Sequence, residues 1–183
     1  MSTQLTFYCN AFVTLEDDKT RLVFDPWTTA GILDSGWYPP FQIADNHFED
    51  RKETYYFASH PHPDHFDIDF LLAQTRPIYI PNFNAAASTI LTDRTDLRLL
   101  TPWEFQQIGP FEVTCTNAFN GPDFDSTFLV KHAGTTFVLG SDNSPKALDL
   151  VQRCHTELNG VNLAALNYSR ADGHPGMFFN LLF

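Results

Sequence analysis

The sequence predicts one domain with a layered α/β or α+β architecture, and three observations predict it. Short runs rich in β-branched and aromatic residues alternate with turn residues near the N-terminus and again from Phe111 to Leu139, the pattern of antiparallel strands. Helical stretches lie between and after these runs, so sheets covered by helices are expected. The chain is 183 residues long, 43% apolar and 15% aromatic, with 18 Phe, enough to bury a core without disulfide help.

Taken in order, Leu5–Tyr8, Ala11–Leu15 and Arg21–Phe24 are expected strands, with Glu16 to Lys19 as a turn and Pro26 stopping the third. Residues 28–51 carry Gly31, Gly36, Pro39 and Pro40 among aromatics, which reads as a long excursion loop, and long loops in compact domains are often functional. Tyr55–Ser59 follows as a buried strand, then a His/Pro segment and a short helix over Asp67–Gln74. A strand at Ile78–Ile80, a helix at Asn84–Thr92 and a strand at Leu97–Leu100 come next. Strands at Phe111–Thr116, Thr127–Lys131 and Thr136–Leu139 follow, the last two joined by a turn at His132-Ala133-Gly134. A helix over Pro145–Leu158 and a strand at Val161–Leu166 complete the pattern.

Composition excludes several classes of function. A formal charge of −11 opposes a phosphate backbone, so no nucleic-acid partner is expected. An anionic small molecule remains compatible, because bound metal would add local positive charge. Three Cys without CxxC spacing make a poor disulfide framework and point to a reducing compartment. With no signal-peptide pattern at Met1 to Asn10 and no run long enough to span a membrane, the expectation is a cytoplasmic protein without membrane contact. Self-association into a homo-oligomer is compatible with the sequence. Nucleotide-binding glycine motifs and a GxSxG nucleophile elbow are absent.

The chemistry concentrates in Ser59-His60-Pro61-His62-Pro63-Asp64-His65. Pro61 and Pro63 bias His60 and His62 away from helical backbone. Residues two apart in an extended segment point to one side, so both imidazoles can converge on one ion. Asp64 and His65 then sit at the turn into the next helix and can face a second centre. Imidazole suits Zn, Fe, Cu and Ni, and carboxylate admits Mn as well. An idle, solvated loop is the bland alternative; HxHxDH after a buried strand is far more specific than a lone HxH pair.

This segment resembles the HxHxDH signature of the metallo-β-lactamase superfamily. The likeness extends to Asn10-Ala11-Phe12-Val13 and Leu22-Val23-Phe24-Asp25-Pro26-Trp27, which look like the opening hairpin and DPW turn of one branch. That branch includes ascorbate-phosphate lactonases and the β-lactamase-like part of CMP-N-acetylneuraminate hydroxylases. Val138 to Asp142 looks like the later strand that ends in a metal-bridging Asp. The resemblance implies an α+β fold, a four-layer αββα sandwich over residues 1–183, with its site at one sheet edge. It also implies one or two divalent metal ions (Zn, Fe or Mn). His60 and His62 would bind the first, Asp64 and His65 the second, with Asp142 bridging and His174 as the final ligand. Asp25 matches an acid that orients a ligand imidazole from behind. The bland alternatives are a loop histidine for His174 and a turn-forming Asp before Pro for Asp25.

The pattern breaks at one place. The family supplies a further His just before the strand near Ser126, and this chain has none between His65 and His132. His132 lies at the far end of that strand, roughly 20 Å away at about 3.3 Å per residue, and is rejected. Asp125, or failing that Asp123, is the candidate replacement, unless both only shape a turn. A carboxylate there would move the expected metal from zinc toward iron or manganese. His47 can reach substrate from the long loop, and Trp37 and Tyr38 wall a cleft or pack over the core. Cys154-His155 on a helix point about 100° apart and make a poor chelate.

The resulting expectation is a metal-dependent hydrolase acting on a small-molecule lactone, amide or phosphoester. Its metal-bound hydroxide would attack, and Asp64 or Asp142 would accept the proton. The alternative is an iron-dependent oxygenase on the same fold. It is favoured by the missing imidazole and the hydroxylase-like DPW turn, and would need a redox partner because no Rieske pattern is present. A third reading is a domain that binds metal or ligand without turnover. Fold likeness by itself does not choose among them.

Overall fold

The computed structural model describes residues 2–28, 38–39, 43–44, 46–48, 52–116, 125–142, 147–167 and 177–180; for 147–151, 166–167 and 177–180 it describes the backbone. The chain divides into two compact units, Met1–Leu99 and Leu100–Phe183.

The first unit is built on β1 (Gln4–Cys9), β2 (Phe12–Glu16), β3 (Thr20–Phe24), β4 (Glu53–Phe57), β5 (Ile78–Pro81) and β6 (Leu97–Leu100), side by side in that order. The first three pair antiparallel, and β3, β4 and β5 run parallel. Asp17 shapes the β2–β3 turn by accepting from the backbone N–H groups of Lys19 and Thr20. β3 is buried along its whole length, as parallel strands covered on both faces are. One of its faces continues a ladder of stacked rings, Phe24 on Phe57 at 4.6 Å and Phe57 on Tyr79 at 5.0 Å. The other joins Val23, Tyr56 and Ile78 to a core containing Phe12, Phe48, Phe70 and Leu71.

Two short helices belong to this unit, α1 (Ile68–Ala73) and α2 (Ala85–Ile90). Asp67 caps α1 by accepting from the Phe70 N–H, and its other oxygen accepts from the backbone and hydroxyl of Thr28. That single carboxylate ties the chain after Pro26 to the helix following the histidines. Asn84 caps α2 in the same way through the Ala87 N–H.

The second unit holds β7 (Gln106–Ile108), β8 (Phe111–Cys115), β9 (Phe128–His132), β10 (Thr135–Leu139), α3 (Ala147–Glu157), β11 (Leu163–Asn167) and β12 (Met177–Asn180). Its sheet order is β12-β11-β10-β9-β8-β7, parallel between β10 and β11 and antiparallel elsewhere. Cys154 of α3 packs with Leu129, Val138, Val161 and Ala164.

Several sequence expectations change. β4 ends at Phe57, so Ser59 lies beyond the strand in a bend. His132 belongs to β9 and pairs with Thr135, leaving a two-residue turn of Ala133 and Gly134, both at positive φ as such hairpins require. Strands β7 and β12 were not expected. β7 is only three residues with two Gln, too short and polar to show an alternating pattern. β12 follows a Gly- and Pro-containing stretch and has only four residues. Among the described residues no helix is long and apolar enough to cross a membrane.

Candidate metal centre

β3 and β4 run parallel and end side by side at Phe24 and Phe57, and the residues leaving their carboxyl ends build the centre. Asp25 has a φ of +45°, a left-handed conformation that Asp adopts more readily than most residues. Its N–H still donates to the Phe57 carbonyl at 2.8 Å, so the register persists while the side chain turns toward β4. There Oδ1 accepts from the Ser59 N–H at 2.7 Å, and Oδ2 accepts from the Ser59 hydroxyl at 2.8 Å.

The chain bends through residues 59–62 and turns at 63–65, rather than running extended as the proline spacing suggested. The N–H groups of His65 and Phe66 both donate to the His62 carbonyl, which closes the turn. The curl folds three imidazoles together. His60 and His62 rings lie 4.4 Å apart with Nε2 of one 2.8 Å from Nδ1 of the other, and His60 and His65 rings lie 4.2 Å apart. His60 and His65 are fully buried, whereas His62 is exposed, so the cluster opens to solvent on its side.

The partners assign the protons. Ser59 has one hydroxyl hydrogen and gives it to Asp25, so its oxygen accepts from His60 Nδ1 at 3.0 Å. That leaves the His60 Nε2 lone pair facing His62. His65 Nδ1 donates to Asp25 Oδ2 at 3.0 Å, so in the neutral ring the lone pair is on Nε2, 3.3 Å from Asp64 Oδ2. Asp25 thus orients one imidazole directly and a second through Ser59, and both present the unprotonated nitrogen a cation needs. Facing imidazole lone pairs beside a carboxylate are a donor set that fits a borderline divalent ion such as zinc or iron. One ring nitrogen of His60 lies within 4.8 Å of one of His62, and likewise of one of His65, short enough for a shared ligand shell.

In the second unit, Asp125 is buried three residues before β9. The backbone after it is locked by Ser126 Oγ donating to the Thr116 carbonyl at 3.0 Å and by the Thr127 N–H donating to Thr116 Oγ1 at 3.2 Å. Asp142 is half-buried just after β10, where the Gly140 N–H donates to the Ala165 carbonyl. His132 is buried against Phe111, with ring centres 4.3 Å apart.

Other candidates fall elsewhere. His47 is exposed and rests edge-on against Tyr8 and Phe48, with its Nε2 3.3 Å from the Tyr8 hydroxyl. Tyr38 is exposed. Trp37, Asp123 and His174 lie outside the described residues. All three thiols are buried, and burial pushes Cys9 and Cys115 up to about 12 and Cys154 to about 11, so each is a protonated thiol near neutral pH in the metal-free chain. Sequence reasoning missed Ser59 and Asn10. The second of these donates to Asp64 Oδ2 at 2.8 Å.

No protein-family model matches the chain, and no curated relative matches it. Solved structures do. A possible metal-dependent hydrolase from Veillonella parvula is 16% identical over 90% of this chain and 70% of its own, with a TM-score of 0.67. The diiron β-hydroxylase CmlA from Streptomyces venezuelae is 18% identical with a TM-score of 0.62; the match covers 89% of this chain and 34% of CmlA, about a third of that protein. A motif mutant of the metallo-β-lactamase from Cronobacter sakazakii is 14% identical over 85% of this chain and 72% of its own, with a TM-score of 0.53. The chain has a metallo-β-lactamase-like fold, with two mixed sheets and few short helices. The branch suggested by the DPW turn is not distinguished by these likenesses.

Proposed function

We propose that this protein is a metal-dependent hydrolase whose central ligands lie in the histidine loop of the first unit. His60, His62 and His65 are the proposed imidazole ligands, with Asp64 beside His65; the sequence pattern proposes Asp125, Asp142 and His174 as further donors. The observation that carries the reading is the folded-in trio of imidazoles, two of them buried and held in ligand tautomers by Asp25 and Ser59. Such an arrangement is costly to build for solvated, idle histidines.

A bound divalent ion supplies Lewis acidity, lowering the pKa of water and polarising the oxygen of a scissile carbonyl or phosphoryl group. The protein's own groups do the rest. Asp25 keeps the His60 and His65 lone pairs pointed inward, and Asp64 or Asp142 takes the proton of the attacking water. The exposed edge at His62 admits a small-molecule lactone, amide or phosphoester. Likeness to the possible metal-dependent hydrolase from Veillonella parvula supports this class of reaction.

A second reading, an iron-dependent oxygenase, is favoured by the likeness to the diiron hydroxylase and by the absence of the family's imidazole before Ser126, where Asp125 is the candidate replacement. Metal analysis of purified protein, followed by lactone and phosphodiester panels with and without oxygen, separates the two. Zinc or manganese with oxygen-independent turnover supports hydrolysis; iron with oxygen uptake supports the oxygenase; metal without turnover favours a binding domain. Because His62 is exposed, His62→Ala should fold normally and lose stoichiometric metal. Full occupancy in that variant overturns the ligand assignment.

A further inference from the structure

Asn10 sits in the two-residue turn between β1 and β2, where the pairing slips between Phe7 and Cys9. Its φ is +48°, a conformation that costs most non-glycine residues energy and that Asn tolerates best. The slip and the turn send its side chain across the unit to the histidine loop. Nδ2 lies 2.8 Å from Asp64 Oδ2, 3.5 Å from the Asp64 carbonyl oxygen and 3.5 Å from His65 Nε2. The oxygen it holds is the one that also faces His65 Nε2 at 3.3 Å.

An amide nitrogen offers hydrogens and no lone pair, so Asn10 Nδ2 is not itself a metal donor. A carboxylate oxygen has two lone-pair directions. With the Asn10 N–H on one of them, rotation of the Asp64 carboxylate is restrained while the same oxygen faces His65 Nε2, where a shared cation would sit. Only the 2.8 Å contact is a strong hydrogen bond; the two at 3.5 Å merely keep the amide close.

We propose that Asn10 is a positioning residue that orients Asp64 toward the metal; this rests on the metal reading of the histidine loop. A role confined to shaping the turn makes a different prediction. Asn10→Gly keeps the left-handed turn and removes the amide, whereas Asn10→Asp keeps size and turn preference but replaces the donor with an acceptor. Both should bind Zn²⁺ about 10–100-fold more weakly than wild type, measured by competition with a chromophoric chelator. Both should also alter the visible spectrum of the Co²⁺-substituted protein, which reports ligand number and geometry.

Zn²⁺ affinity and Co²⁺ spectra unchanged in both variants overturn the proposal while leaving the metal reading intact. Loss in Asn10→Gly alone, with Asn10→Asp unaffected, also overturns it, because the donor is then irrelevant. Wild-type protein that takes up neither ion sinks the metal reading itself and this inference with it. Should the variants fail to fold, ¹⁵N-labelled wild type decides. The Asn10 side-chain amide resonances should shift and exchange more slowly with Zn²⁺ present; resonances indifferent to the ion refute the role.

Discussion

At Asp25 one carboxylate serves three donors from the histidine loop, the Ser59 N–H, the Ser59 hydroxyl and His65 Nδ1. Replacing it with Asn keeps the shape and the positive-φ preference but sets an NH₂ group against groups that must donate. Asp25→Asn is therefore expected to lower the stability of the metal-free protein by about 3 kcal/mol, or roughly 6–12 °C in Tm. Thermal denaturation followed by circular dichroism measures it, and an unchanged midpoint would mean that the loop is held by other contacts. The same substitution should turn the His65 ring or change its tautomer, which links a buried hydrogen bond to the capacity to bind an ion.

At the scale of elements, α1 is six residues long, too short to be stable alone, and it begins three residues after His65. Its C-terminal end has no glycine cap. Arg94 takes that place: Nη1 donates to the carbonyls of Leu71 and Gln74 at 3.1 and 2.8 Å, and Nη2 to that of Arg76 at 3.0 Å. Asp96 holds the guanidinium from the other side through Nε and Nη2 at 2.9 and 2.7 Å. A lysine ammonium cannot reproduce this planar fork. Arg94→Lys should cost about 1–3 kcal/mol. Its signature should be faster amide hydrogen exchange across α1 than across β3, whose ladder does not depend on this residue. Equal acceleration in both would show that Arg94 acts globally.

For the whole molecule, the buried thiols govern the alkaline limit. Burial raises Cys9 and Cys115 to about 12 and Cys154 to about 11, against about 8.5 for an exposed thiol. Burial likewise raises the hydroxyls of Tyr8, Tyr55 and Tyr79. Each group binds its proton more tightly in the folded chain, so folding stability is at its full value below the unfolded pKa and falls as pH rises toward the folded one. Denaturation midpoints in urea under reducing conditions should hold steady from pH 7 to 8 and decline between pH 9 and 11. A midpoint that rises over that interval would contradict the burial of these groups. Disulfide reagents should meet little reactivity until the chain unfolds.

The sequence by itself determined the His/Asp cluster of the histidine loop and most of the strands, because those signals are local. HxHxDH spans six residues, and an alternating or continuous apolar run reports its own burial. It also carried the fold, since the HxHxDH segment resembles the signature of the metallo-β-lactamase superfamily, and the solved structures agree on that fold. Only the tertiary structure decided which ordinary residues serve the centre. Ser59 and Asn10 are unremarkable in the chain, and their roles arise from contacts across 34 and 54 residues, to Asp25 and Asp64. The proton assignment of His60 and His65 is likewise set by those partners and not by spacing. A hydrogen bond depends on where two atoms finish in space, and a turn, a one-residue slip in strand pairing and a positive φ move them by more than any local pattern records.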